Sequence, residues 1–199
     1  PIGIEGLTRT ERLLLREYRP GDWEAVLAYH RDLRFLRSYP AQVGTEEWVR
    51  ALIDRFMEWQ REEPRARIQL AVTLPSGELI GSCGIRKSAP DADEADIGYE
   101  LAPEHWGRGY ATELACALLR FGFEVWGLRR ISARCAAENT ASARVLEKVG
   151  MRLEAHLTDY DHLDGGGDEL LYSILEPEWR STAGNRSACQ SSTRDRPVA

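Results

Sequence analysis

The stretch Ala102-Pro103-Glu104-His105-Trp106-Gly107-Arg108-Gly109-Tyr110-Ala111-Thr112-Glu113 joins a strand-like run to a helical one through two closely spaced glycines. Upstream, Ile97-Gly98-Tyr99-Glu100-Leu101 places apolar residues at alternate positions, the period of a strand, and Pro103 stops it. Downstream, Tyr110, Leu114, Ala117, Leu118, Phe121 and Val125 recur at three- and four-residue spacing, so one apolar helical face begins directly after Gly109. Glycines at such a junction let successive backbone N–H groups turn toward one point, where the unpaired donors of a helix's first turn carry partial positive charge. The expected occupant is an anion.

Two nucleotide loops do not match. No Gly-Lys-Ser/Thr ending follows the glycines, which argues against a P-loop and nucleotide hydrolysis. Thr112 stands where a dinucleotide fingerprint places its third small residue, and no acidic-ended second strand follows at the expected distance. A pyrophosphate bound by backbone amides remains, with an ordinary tight turn as the bland alternative.

The rest of the chain supplies the frame. Residues 13–16 predict a first strand, and Gly21-Asp22 caps a short helix through His30. Residues 31–44 are expected to be irregular. Thr45 starts a longer helix whose Trp48, Leu52, Phe56 and Trp59 form an apolar stripe for the core. Residues 69–74 and 79–85 predict strands joined by the turn Pro75-Ser76-Gly77-Glu78. Asp91, Asp93, Glu94 and Asp96 read as a solvated rim or as an attractor for a cationic substrate. Residues 130–135 predict another strand, and Asn139 caps a helix ending at Gly150. Residues 151–163 and 169–175 flank Asp164-Gly165-Gly166-Gly167 as a last hairpin. From Ser181 the composition turns polar, too poor in apolar residues to order itself. The expectation is a single domain over residues 1–180 and a flexible tail over residues 181–199, with no internal repeat. Its fold class is α/β (α+β): a mixed, mostly antiparallel central sheet with helices on both faces.

The net charge is −6, and residues 181–199 hold three Arg against one Asp, which leaves −8 on residues 1–180. Such acidity argues against a nucleic-acid groove and mildly favours a cationic substrate. Cys83, Cys116, Cys135 and Cys189 show no metal-ligand spacing, so no metal is expected and the first three read as small buried hydrophobes. His105, His156 and His162 read as solvated or structural. No opening run resembles a signal peptide and no apolar run is long enough to cross a bilayer, so a cytoplasmic protein without membrane partners is expected.

Gly98-Tyr99, Pro103 and Trp106-Gly107-Arg108-Gly109-Tyr110-Ala111-Thr112-Glu113 together resemble the acetyl-CoA site of the GNAT superfamily of N-acetyltransferases. A second block, Asn139-Thr140-Ala141-Ser142-Ala143-Arg144-Val145-Leu146-Glu147-Lys148-Val149-Gly150-Met151, is similar to the Asn-x-x-Ser…Leu-x-Lys-x-Gly-Phe segment of its Rim-type branch. That bacterial branch acetylates the N-terminal alanine or serine of ribosomal proteins. The resemblance extends over roughly residues 11 to 176 and is weakest before residue 67. Three positions depart from it. Glu104 stands where the superfamily often has Gln or Arg, and a carboxylate should not point at phosphate. Leu146 replaces a tyrosine that many relatives use as general acid, and Met151 replaces the usual Phe, a packing change.

The resemblance implies acetyl-CoA as cosubstrate. Its pantetheine would insert where two central strands splay apart, bonding backbone groups of Tyr99 and Leu101, with Trp106, Gly107, Arg108, Gly109, Tyr110, Ala111 and Thr112 around the pyrophosphate. Asn139 would contact the cofactor as well as cap its helix. The acceptor implied is a protein N-terminus. A small amine such as a polyamine, amino acid or antibiotic is an alternative within the class, and an acyl-CoA-binding sensor with little turnover is another outside it. The enzyme would be a monomer or homodimer.

Acetyl transfer needs a neutral amine, yet an α-amino group has a pKa near about 8 and a side-chain amine near about 10.4. A carboxylate beside the site could hold the cation and take its proton, directly or through water. Glu100 is the first candidate, although strand alternation leaves its facing open between the cleft and solvent. The N–H of Leu101 could serve the oxyanion, and the branch implies Ser142 as a hydrogen bond to the leaving thiolate. The alternative for Ser142 is packing beside Val145, Leu146 and Val149. Residues 37–44 and 165–167 are expected at the acceptor entrance.

Overall fold

Turn chemistry and alternation build the centre of the sheet in the computed structural model, which describes residues 4, 6–158 and 167–181. Strands β2 (Arg67–Thr73) and β3 (Leu79–Lys87) pair antiparallel around a turn closed by the Gly77 N–H on Leu74 O at 2.8 Å, with Gly77 at φ +90°. Outward from them lie β1 (Leu14–Arg16) on one side and β4 (Glu94–Leu101) on the other, then β5 (Arg130–Ala136), β7 (Glu169–Leu175) and β6 (Arg152–Leu157). Every neighbouring pair in this seven-stranded sheet is antiparallel except β4 with β5. The expected mixed, mostly antiparallel sheet is borne out.

Strand alternation divides the core between two faces. Leu70, Val72, Ile97 and Leu101 pack with α4 (Tyr110–Arg120) and α5 (Thr140–Lys148). Ala71 and Ala102 belong to the other face, with α1 (Trp23–His30), α2 (Leu33–Leu36) and α3 (Glu46–Trp59). Helices on both faces are therefore observed. Among the described residues no helix is long and apolar enough to cross a membrane.

Several expectations need correction. Residues 31–44 are not irregular: Asp32 caps α2 by accepting the Arg34 N–H at 2.8 Å, and Ala41–Gly44 form a 3-10 turn. Local Asx capping was the missed signal. Thr45 caps α3 as expected, but the buried line is Val49, Ile53 and Phe56, with Trp48, Leu52 and Trp59 on its flanks. The bulkiest side chains border the interface rather than fill its middle. A short α6 (Glu176–Ser181) not read from the sequence follows β7 at the end of the expected domain, with Pro177 in its first turn, where the lost N–H is tolerated. Asp91, Asp93, Glu94 and Asp96 are exposed, as a solvated rim requires, and the last three pair with Arg129, Arg130 and Arg86 at the end of β4 far from its glycine loop. Cys83 and Cys135 are buried thiols, whereas Cys116 is buried but disulfide-bonded, a departure from the simple hydrophobe reading. Cys189, the tip of the last hairpin at residues 159–166, and the tail at residues 182–199 lie outside the described residues, while β6 and β7 do pair as that hairpin requires.

One irregularity of the sheet positions the site. Pairing of β4 with β5 runs from Glu94↔Arg130 to Ile97↔Ala133 and stops there. Beyond that point β4 stays with β3 as far as Leu101, and β5 stays with β7 as far as Ala136. The two central strands thus part company over Gly98 to Leu101. Gly81 on β3 lies against this free end, and a Cβ there would sit 2.2 Å from Glu100 O and 2.9 Å from Leu101 Cδ2. Gly81→Val is expected to cost about 1–3 kcal/mol by overpacking, read as a lowered melting temperature. An unchanged melting temperature would show that the β3–β4 spacing is not tight.

Candidate active site

Hydrogen-bond parity decides what the open end of β4 presents. The Ala102 N–H donates to Ile80 O at 2.8 Å, which assigns Ala102, Glu100 and Gly98 to the β3 side. The backbone groups of Tyr99 and Leu101 therefore face the gap left by β5. The Trp106 indole N–H donates to Leu101 O at 2.7 Å and so satisfies one of them. The N–H and C=O of Tyr99 and the N–H of Leu101 remain for an extended partner. Trp106, half-exposed, thereby also fastens the glycine loop to the strand end.

Gly107 and Gly109 adopt left-handed φ values of +72° and +82°, as a junction that aims amides at one point requires. A Cβ on Gly107 would meet nothing within 4 Å, and one on Gly109 would approach only Arg12 Nη2, at 3.4 Å. The loop is concave and open. The first backbone bond of α4 is Glu113 N–H to Gly109 O at 3.1 Å. Among the described residues, no backbone oxygen accepts from the N–H groups of Gly107, Arg108, Gly109, Tyr110, Ala111 or Thr112. These donors suit an anion.

The carboxylates nearby are turned to other uses. Glu113 accepts from the Thr10 hydroxyl and, at 2.8 Å each, from the Arg12 N–H and Arg12 Nε. Arg12 also donates Nη1 to Arg108 O at 2.9 Å and covers the Tyr110 ring, 4.6 Å from its centroid. Residues 10–12 thus brace the loop from a distant part of the sequence, which no local pattern revealed. Glu104 is exposed and bound by Arg34, which also binds Asp32, so its charge is compensated away from the amides. Arg108 donates to Glu104 O at 3.0 Å and tightens the loop from within.

Across the gap, Asn139 Oδ1 accepts the Ser142 N–H at 3.0 Å, the expected cap. The Ser142 and Tyr99 hydroxyl oxygens lie 3.2 Å apart. Burial pushes the Tyr99 phenol up to about 12 and the neighbouring Cys135 thiol up to about 11. Leu146 is buried in the core and offers no acid. Tyr99 thus adds a side-chain hydroxyl beside Ser142 to the backbone role expected of it.

Glu100 points to the opposite face of β4, so its facing is settled: it is not a free, solvated strand residue. The Tyr29 hydroxyl donates to its Oε1 at 2.7 Å, and His30 Nε2 lies 3.1 Å from the same oxygen. His30 Nδ1 lies 3.0 Å from Val43 O. Burial alone would raise the Glu100 pKa, but the charge and hydrogen bond of His30 and the Tyr29 hydrogen bond outweigh it and hold the carboxyl below its usual range. Burial likewise opposes charge on His30, yet Glu100 and the Val43 carbonyl raise its pKa. Tyr39 is pushed up by burial and the Glu100 charge.

His30 was not singled out by sequence reasoning, because its partners come from Val43 and from a strand 70 positions away. Val43 belongs to the segment expected at the acceptor entrance, so residues 37–44 do reach the Glu100 side; residues 165–166 lie outside the described residues. His105 is buried with Nε2 3.3 Å from Glu78 Oε1, and the exposed His156 lies 3.0 Å from Asp168. His162 also lies outside the described residues.

The ion pair has a pH signature. The lowered Glu100 pKa contributes stability above an ordinary carboxylate pKa of about 4.3, lost as pH falls through the lowered value. The raised His30 pKa contributes stability below an ordinary imidazole pKa of about 6.5, lost as pH rises through the raised value. Thermal melts are therefore expected to separate wild type from Glu100→Gln most between about pH 4.3 and 6.5, with the gap narrowing on either side. A gap independent of pH would contradict the ion pair.

Comparison with known proteins agrees with this geometry. The model of the acetyltransferase (GNAT) domain matches residues 12–152. The uncharacterized N-acetyltransferase YnaD of Bacillus subtilis is 34% identical over 173 residues, covering 85% of this chain and 97% of its own length. The ribosomal-protein-serine acetyltransferase of Escherichia coli is 27% identical over 139 residues, covering 69% of this chain and 76% of its own. Among solved structures, Mycobacterium smegmatis RimJ in complex with CoA-disulfide superimposes with a TM-score of 0.76 at 25% identity, covering 94% of this chain and 97% of that one. The chain belongs to the GNAT acetyltransferase family and is an N-acetyltransferase of that type.

Proposed function

We propose that this N-acetyltransferase moves acetyl from acetyl-CoA directly to the primary amine of a protein N-terminus. The observation that carries the reading is the juxtaposition of the Tyr99 N–H and C=O and the Leu101 N–H, which bond no described residue, with the open amide cradle at Gly107 and Gly109. A pantetheine amide chain fits the first as a substitute strand, and a pyrophosphate fits the second. Relatives support both halves: the solved RimJ holds a CoA-disulfide, and the E. coli relative is named for a ribosomal-protein serine.

In this reading the amine nitrogen bonds the acetyl carbon as the carbon–sulfur bond breaks, with no acyl-enzyme. Glu100 holds the incoming ammonium and takes its proton, directly or through water. The Leu101 N–H faces the gap as a donor to the carbonyl oxygen. Ser142, backed by the Tyr99 hydroxyl, hydrogen-bonds the departing sulfur. An α-amino group, with its pKa near about 8, surrenders a proton more readily than a lysine side chain, which suits a base whose own pKa is lowered.

Free-thiol release from acetyl-CoA, measured against pooled peptides with free N-termini and against a pool of polyamines, amino acids and aminoglycosides, tests the reading. Turnover with the peptides is expected. Turnover with small amines alone would overturn the acceptor, and CoA binding without release from either pool would favour a sensor. Ser142→Ala is expected to lower kcat roughly 3- to 10-fold, the loss of one hydrogen bond of about 1 kcal/mol, with little change in the KM for acetyl-CoA. An unaltered kcat would return Ser142 to packing.

A further inference from the structure

Glu100 receives its hydrogen bonds unevenly. Both Tyr29 and His30 meet Oε1. Oε2 bonds none of the described residues, yet it is not sealed from solvent. The Glu100 side chain keeps 20% exposure while that of His30 keeps 1%. The carboxylate therefore has one oxygen held by Tyr29 and His30 and the other unbonded by any described residue, on a side chain that is not fully buried.

The lock is built around a cation. Val43 O can only accept, so His30 Nδ1 carries a hydrogen toward it, and Nε2 meets a second acceptor in the carboxylate. An imidazole with acceptors at both nitrogens is best satisfied with both protons. Its ring stacks on Phe35 at 4.6 Å, meets the edge of Tyr29 at 4.9 Å and lies 5.6 Å from Trp48, an aromatic surround that favours positive charge. The other groups acting on this pair are Tyr18 after β1, Tyr39 after α2 and Arg86 of β3, of which only Arg86 brings a cation.

We infer that His30 is a positioning residue for acetyl transfer: anchored on Val43 O, its imidazolium holds Glu100 Oε1, keeps the buried carboxylate charged and turns Oε2 to the acceptor amine. The inference rests on the proposed reading of Glu100 as the base. Without the cation, burial wins and the carboxyl holds its proton at a pH where the wild type has lost it. Such a carboxyl cannot take the amine's proton.

Two readouts on the full chain test this. Nitrogen-resolved NMR of the imidazoles, with His30 assigned by its loss in His30→Gln, is expected to show both His30 nitrogens protonated at neutral pH, and Glu100→Gln to lower its titration. A neutral His30, or a titration indifferent to Glu100→Gln, overturns the inference on proteins that need no His30 variant for activity. With acetyl-CoA and the accepted peptide, the acidic limb of kcat/KM is expected to move up by about one pH unit or more in His30→Gln and His30→Ala. His30→Gln, whose amide can still donate to Oε1, keeps more of kcat. Unmoved limbs in both folded variants, beside a limb abolished in Glu100→Gln, overturn the inference alone. A wild-type limb in Glu100→Gln overturns the base reading and this inference with it.

Discussion

A backbone amide that loses its partner in a sheet must find another or stay open to solvent, and here the loss occurs in the middle of the sheet rather than at its edge. Past Ile97↔Ala133, β4 is held by β3 alone. A gap between two central strands is tolerated because each keeps its other neighbour, β3 for β4 and β7 for β5. The groups left over at Tyr99 and Leu101 then stand open toward the gap. Arg12, Trp106 and Glu113 all serve to hold the glycine loop in register with them.

Because β4 is a strand, its consecutive residues deliver different chemistry to the two faces around that gap. The odd positions Tyr99 and Leu101 give backbone donors toward the missing partner, and the Tyr99 ring reaches Ser142. The even position, Glu100, enters the aromatic layer of α1 and α2, where Tyr29 and His30 restrain one of its oxygens. A hydroxyl pair and a charged carboxylate thus flank the same stretch of backbone without touching. That separation suits a reaction in which one end of the reacting carbonyl loses sulfur while the other side receives an amine.

Much of this was legible in the sequence where the determinants are local. Alternation in residues 97–101 and the three- and four-residue apolar spacing after Gly109 predicted a strand and a helix, both observed, and the glycine pair expected to turn N–H groups toward one point is left-handed at both positions. Asn139 as a cap is likewise a short-range property. What escaped depends on partners remote in the chain. The bracing of Glu113 by Arg12, the neutralisation of Glu104 by Arg34 and the pairing of Glu100 with His30 each span 70 positions or more. The inward turn of Glu100 escaped because alternation says that neighbours face opposite ways but not which way is in. Asp93, Glu94 and Asp96 are exposed as expected, but their arginine partners on neighbouring strands and loops could not be read locally.

Amide hydrogen exchange of the full chain, with and without CoA, tests the central claim most directly, since it reads the backbone donors themselves. Slowing at Tyr99, at Leu101 and from Gly107 to Thr112 on addition of CoA is the expected result, while Gly98 and Glu100, already bonded to β3, stay unchanged. Slowing confined to other segments, or none at Tyr99 and Leu101 under saturating CoA, would contradict the account.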